Sequence, residues 1–286
     1  MLHRFEWSAA SERRNAMTAR YEPLQPFFLF AACEMIGCKT FIDVGALVGT
    51  YCIPATLVPG LERCIAFEAN PEAAAEVRRN IERNAVAVEL RDVAVSDKPG
   101  TGTLAVVAPY SGANAILETS IHAADKAKER ITVPKVTLDS LLPLPSPIAL
   151  KVDVEGHEPN VLAGAARLLT ENRCLVQIED YGTTGVGEIL GKLGYERVTA
   201  MGPDHYYSNI PGLPARALEL YETAVAALIE SNHAAAKLRP PMISRGDVTV
   251  QIGGRTGNLL RRWRGRLSLK QGDDERTRRQ IDRPRR

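Results

Sequence analysis

The stretch "IALKVDVEGHEPNVLAGAARLL", residues 148–169, decides how this chain is read. Its first part is a near-continuous apolar run, the pattern of a strand buried on both faces of a parallel sheet. It stops on Asp153, Glu155, His157 and Glu158, four titratable side chains within six positions. Pro159 then suits the first turn of a helix, predicted over 159–172. Exposed strand ends are often acidic, so solvated polar termini are one reading. The other is chemistry, because open α/β sheets bind ligands outside the carboxyl ends of their strands.

Working outward, short apolar runs alternate with helical patterns from residue 38 onward, which predicts an α/β fold. Expected sheet strands are 39–46, 63–70, 87–97, 146–154 and 174–182. A helix is expected to begin near Tyr51, and another over 71–84. Segments 101–109 and 130–142 read as extra strands flanking a polar loop. A short helix over 186–195 precedes an antiparallel terminal strand pair. The whole is a Rossmann-like, doubly wound, mostly parallel sheet occupying 38–210. A helical segment precedes it at 1–37, with the apolar "PFFLFAACEMIG" as a core helix. A C-terminal helix follows within 211–240, and a basic tail, expected to be disordered, at 241–286.

Composition narrows the classes. The chain has 286 residues, 45% of them apolar, and no run approaches the ~18 residues of a membrane span. Cysteines 33, 38, 52, 64 and 174 form no Cys-x-x-Cys pair, which favours reduced, buried thiols in a cytoplasmic protein. His122, His205 and His233 stand singly, so no metal is expected. The net charge of +2 conceals twelve Lys or Arg against four Asp or Glu in residues 255–286, leaving −6 for residues 1–254. Within that tail, 258–269 places Leu259, Leu260, Trp263 and Leu267 at helical spacing among arginines, a pattern for weak contact with an anionic membrane. It lacks the aromatic interleaving of a single-strand platform, and no nucleic-acid partner is expected.

Five expected sheet strands end on an acidic residue: Asp43, Glu68, Asp92, Asp153 and Glu179. The first turn reads Asp43-Val-Gly45-Ala-Leu47-Val-Gly49-Thr-Tyr51, whose glycines let backbone approach a ligand. It is not the Gly-x-Gly-x-x-Gly of dinucleotide enzymes. Glu68, nineteen residues after Gly49, can accept hydrogen bonds from both hydroxyls of a ribose. That reading specifies a nucleoside and not which one.

The Asp-x-Gly-x-x-x-Gly turn resembles the first motif of class I S-adenosylmethionine-dependent methyltransferases. "LKVDVEGHEPNVLAGAARLL" is similar to the signature of FkbM-type methyltransferases, and "FIDVGA", "FEANPEAAAEVRRNIERN", "VAVSDKPGTGTL", "VTLDSLL" and "VQIED" agree in order. The resemblance covers roughly residues 38–210. One departure is Leu47, where members usually have Asn.

The resemblance implies S-adenosyl-L-methionine as cofactor, held by Asp43, Gly45, Gly49, Tyr51, Glu68, Asn70, Asp92, Val93 and Asp153. Asp92 would stand near the adenine amino group, and Asp153 would face the ammonium of the methionine portion. An alcohol acceptor must lose a proton, and Glu155, His157 and Glu179 are the candidate bases. His157 could equally serve as a helix-entry residue, Glu179 could solvate a strand end, and Lys151 could hold a carboxylate. The run Asp204-His205-Tyr206-Tyr207 reads as either an acceptor wall or an exposed hairpin. The expected function is O-methyl transfer to a saccharide or natural-product hydroxyl. Alternatives are a cofactor-binding scaffold without catalysis, suggested by Leu47, and a membrane-associated protein acting through the tail.

Overall fold

The structure is a computed structural model describing residues 6–7, 22–119, 126–182 and 184–238, without the side chains of 233–238. Most of 1–21, His122 and the whole basic tail with its 258–269 pattern lie outside the described residues.

β1 (Thr40–Val44), β2 (Arg63–Phe67), β3 (Glu89–Arg91), β8 (Ile148–Val152) and β9 (Cys174–Glu179) run parallel. With β10 (Glu196–Met201) and β11 (Asp204–Ser208) they form a seven-stranded sheet in the order β10-β11-β9-β8-β1-β2-β3. β11 is antiparallel to both its neighbours. The order reverses at β1, between β2 and β8, and a ligand crevice belongs outside the carboxyl ends there. Alternation along β1 sends Phe41 to one apolar layer and Ile42 and Val44 to the other, so both faces are covered.

α1 (Gln25–Ile36) and α7 (Ala217–Leu238) cover the Phe41 face together. The Phe28 ring lies 4.8 Å from Tyr206 and 4.9 Å from Tyr221. The segments flanking the sheet therefore share its core. α1 stops at Gly37, whose φ of 64° closes the last turn onto the carbonyls of Cys33 and Glu34. All five cysteines are buried and unbridged, as small apolar groups should be.

Two expected elements are divided. The strand expected over 87–97 breaks after β3, where the Val93 amide turns back to the Arg91 carbonyl at 2.9 Å. Its second half, β4 (Ala94–Val95), joins a separate sheet with β5 (Gly100–Val106), β6 (Ala115–Ile116) and β7 (Glu129–Val136), in the order β4-β7-β5-β6. The helix expected over 159–172 is two, α4 (Glu158–Ala163) and α5 (Ala166–Glu171). Gly164 sits at the break because a Cβ there would lie 2.0 Å from the Ser96 carbonyl oxygen. The remaining helices are α2 (Cys52–Ala55), α3 (Pro71–Asn84) and α6 (Val186–Lys192).

Candidate active site

A cleft opens where β1 and β8 end, enclosing about 900 Å³ of empty space when its open mouth is included. Two strand exits must pass each other there. A Cβ on Gly45 would lie 2.0 Å from the Asp153 carbonyl oxygen, and its φ is 87°, so glycine is required on both counts. The next turn holds Leu47 at φ 54° and aims its N–H at Glu68 Oε2, 2.7 Å away. Glu68 Oε1 accepts the Asn70 N–H at 2.8 Å. Each oxygen keeps a further lone pair for a ribose hydroxyl. Burial pushes the Glu68 carboxyl up to about 7, against the pull of those two amides.

One wall of the cleft is apolar, formed by Phe67, Val93, Val95, Leu104 and Ile116. Leu104 and Ile116 come from the second sheet, which is why a strand pattern could not reveal them. The other end is acidic, with Glu22, Asp153, Glu155 and Glu179. Behind it Lys151, 4% exposed, donates to Asp153 Oδ2 at 3.1 Å and lies 3.9 Å from Asp43 Oδ1. Its ammonium stands over the Tyr51 ring, 4.9 Å from the centroid. Burial opposes that charge, but the Asp153 and Asp43 carboxylates outweigh it and raise the lysine pKa.

Four expected cofactor residues line the cleft: Gly45, Glu68, Val93 and Asp153. The other five lie outside the lining. Asp43 is buried and caps α2, accepting the Cys52 N–H at 3.0 Å. Gly49 has φ 89° in the same turn. Tyr51 is buried, its hydroxyl bonded to Glu22 Oε2 at 2.9 Å. Asn70 caps α3 through the Glu72 N–H at 3.0 Å. Asp92 is half-exposed, pairs with Arg78 at 2.8 Å and is not among the residues that line the cleft.

Asp153, Glu155 and Glu179 each bring an oxygen within 4.8 Å of the others. No metal was expected from the histidines, yet this all-carboxylate set is of the kind hard divalent cations take. Tyr181 donates to Glu179 Oε1 at 2.7 Å, while Oε2 is buried with no hydrogen-bond partner. Burial first, then the Asp153 charge, push the Glu179 carboxyl up to about 8. Glu155 holds φ 55° beside Gly156 at 103°, a tight exit from β8 that turns its side chain into the cleft.

His157 is held as a strut. Nδ1 bonds Thr119 Oγ1 at 2.8 Å and Nε2 bonds Ser96 Oγ at 3.0 Å, so both ring nitrogens are engaged. Burial, with the charge of Lys135, lowers its pKa to about 4 and keeps the ring neutral. Of its two sequence readings, the structural one fits this geometry.

Asp204-His205-Tyr206-Tyr207 is the second strand of a hairpin, but the hairpin is not exposed. β11 lies between β9 and β10 inside the sheet, so Tyr206 is fully buried and Asp204 bonds Gln177 at 2.9 Å. None of the four lines the cleft. Among the lining residues that no sequence signal marked are Glu22 and Tyr181. Tyr181 directly follows the "VQIED" motif and is 62% exposed at the mouth, an aromatic exposure that only the tertiary structure reveals. Glu22 precedes the first apolar helix and carries no pattern of its own.

A mostly parallel sheet whose order reverses at a glycine turn, with β11 inserted antiparallel between β9 and β10, is a class I methyltransferase fold. The Methyltransferase FkbM domain matches residues 43–198, more than half of the sequence, and the chain belongs to that family. Among solved structures it is similar to methyltransferase FkbM from Methylobacillus flagellatus KT, with 14% identity and a TM-score of 0.44 over 60% of this chain. It spans 43% of that protein's length, less than half. The O-methyltransferase from Bacillus cereus, in complex with SAH, has 15% identity and a TM-score of 0.39, over 71% of this chain and 90% of that one. Precorrin-6y C5,15-methyltransferase from Geobacter metallireducens GS-15 has 17% identity and a TM-score of 0.34, over 60% and 78% respectively. Among curated proteins none matches the chain significantly.

The cofactor is S-adenosylmethionine, and the residues present fit it. The apolar wall suits adenine, the paired oxygens of Glu68 suit a ribose, and the acidic end suits the cationic methionine portion.

Proposed function

We propose that the protein is an O-methyltransferase acting on an uncharged hydroxyl acceptor, a saccharide or a hydroxylated natural product. The observation carrying this reading is the acceptor side of the cleft. Glu179 presents a buried, unpartnered oxygen there, and Tyr181 exposes a ring at the mouth. An exposed aromatic face beside carboxylates is a surface on which a sugar ring can stack while its hydroxyls are hydrogen-bonded. Among the described lining residues there is no Lys or Arg, so phosphorylated or carboxylated acceptors would meet repulsion.

When bound, S-adenosylmethionine supplies a methyl carbon on a sulfonium leaving group. Asp153, held by Lys151, favours the cationic donor, and the apolar wall excludes water from the line of displacement. Glu179 is the base of the proposal. Bound there, S-adenosylmethionine would give its methyl carbon to the acceptor oxygen, its sulfur leaving with the electron pair of the broken bond, and Asp153 and Glu68 would hold it. The hydroxyl proton passes to the Glu179 carboxylate. A carboxyl pushed up to about 8 is a stronger proton acceptor than an ordinary one once ionised, which makes transfer rise with pH.

The test is transfer of labelled methyl to matched neutral, amino, uronic and phosphorylated sugars and to a macrolide panel, from pH 6.5 to 9. Transfer to neutral hydroxyls is expected, its kcat/KM for S-adenosylmethionine, which reports the ligand-free enzyme, rising through about pH 8, with Glu179→Gln abolishing the rise and lowering turnover about 10²-fold or more. Transfer confined to anionic acceptors, or a pH profile unchanged in Glu179→Gln, overturns the reading.

A further inference from the structure

Between β5 and β6 the chain makes a loop, residues 107–114, and its Ser111, Gly112 and Asn114 line the cleft. The loop is tied together by its own side chains. Asn114 Oδ1 accepts the N–H groups of Val107 and Ala108 at 2.8 and 3.3 Å, and its Nδ2 donates to the Ala108 carbonyl at 2.9 Å. Ser111 Oγ accepts the Ala113 N–H at 3.1 Å. A loop bonded in this way behaves as one body. Strand pairing at Leu104–Ile116 and Ala105–Ala115 fixes only its base.

Asn70 fixes the loop from the other side. This side chain is 2% exposed, and its Nδ2 donates to the Pro109 carbonyl at 3.1 Å. Its Oδ1 caps α3, and its backbone N–H donates to Glu68 Oε1 at 2.8 Å. One residue thus joins the carboxylate suited to a ribose, the helix that follows it and the loop. Asp or Ser would cap the helix about as well, but Asp has no donor for the loop. Ser is an atom too short to serve helix and loop from separate ends. Asn70 stands outside the lining, so its influence on a ligand passes through the groups it holds. Its place two residues from Glu68 puts the loop at the nucleoside end, where the strands beside the loop already give Leu104 and Ile116 to the apolar wall.

We propose that loop 107–114 is a nucleoside-binding element of the cofactor pocket, contacting adenosine through Ser111, Gly112 and Asn114, and that Asn70 is its positioning residue. Phe67, Val93 and Val95 form one side of the adenosine slot, and the loop forms the other. The inference rests on the cofactor and is independent of the acceptor and of the base.

Hydrogen exchange and calorimetry on the full chain test it. The probes are S-adenosylhomocysteine and 5′-methylthioadenosine, which has the nucleoside but no amino-acid portion. In the parent, 5′-methylthioadenosine is expected to slow amide exchange across 107–114 several-fold. Asn70→Ser keeps the cap, and it is expected to weaken both ligands by the same factor, about fivefold or more, with loss of that protection. Bound 5′-methylthioadenosine that slows exchange over 66–70 and leaves 107–114 unchanged overturns the loop assignment; this arm needs only the parent and stands even if the variant does not fold. Parent-like affinity of Asn70→Ser for both ligands, or weakening confined to S-adenosylhomocysteine, overturns the role of Asn70. A parent protein that binds neither ligand overturns the cofactor reading, and this inference with it.

Discussion

Leu47 and Glu155 both hold φ in the left-handed region, at 54° and 55°, and neither type favours it. The two cases differ in what the strain does. At Leu47 the conformation aims a backbone N–H at Glu68, a task any residue could perform, and Asn would do so at lower cost. The turn therefore keeps its geometry despite the departure from the family pattern. Leu47→Asn is expected to raise stability by about 1 kcal/mol. Urea denaturation of the two proteins checks this, and a lower midpoint for the variant would show that packing of the leucine side chain outweighs the backbone. At Glu155 the conformation delivers a carboxylate to the cleft, where strain is retained for the site it builds.

At the scale of elements, the break between α4 and α5 and the second sheet are one device. Gly164 lets α4 pack onto the Ser96 carbonyl, just past β4, and Ser96 in turn holds His157 at the start of α4. Thr119, past β6, holds the other ring nitrogen. The histidine thereby pins two strand ends of the second sheet to the helix that follows the acidic turn. Gly164→Ala places a methyl group against backbone that cannot yield, and a loss of about 3 kcal/mol is expected. Thermal unfolding reads it; a change within about 0.5 kcal/mol, the range of an ordinary surface site, would mean the close approach is not maintained in solution.

The molecule as a whole buries more ionisable groups than its modest net charge suggests. Burial pushes Glu68 and Asp204 up to about 7 and Glu179 to about 8, so each keeps its proton in the folded chain after the unfolded chain has lost it. The folded state then binds more protons, and stability falls as pH rises from about 4.5 through 8. His157 acts oppositely. Lowered to about 4, it is neutral when folded and charged when unfolded up to about 6.5, so its contribution grows with pH below that value. Above pH 6.5 His157 no longer offsets the carboxyls. Urea midpoints are expected to fall between pH 6.5 and 8.5, and less steeply with S-adenosylmethionine bound, because a cation beside Glu179 lowers its pKa. A midpoint that rises over that interval would contradict the burial of these three groups.

The sequence by itself determined the parallel sheet, the strand ends on which the site is built, and the family, because these rest on local signals. Apolar runs mark buried strands, glycine after β1 marks a close backbone approach, and "LKVDVEGHEPNVLAGAARLL" carries side chains that are neighbours in the chain. Strand periodicity could not say that residues 94–95 leave the main sheet, since a two-residue break at Asp92 and Val93 leaves the apolar pattern nearly intact. Nor could it sort five acidic strand ends into those that line the cleft, Glu68, Asp153 and Glu179, and those that cap a helix or meet an arginine, Asp43 and Asp92. A carboxylate at a strand end looks the same in sequence whether its partner is a ligand or its own protein. Only tertiary structure decided that, and only tertiary structure brought Glu22 beside Asp153 across 131 positions of chain, because a polar side chain that answers to distant partners leaves no period behind it.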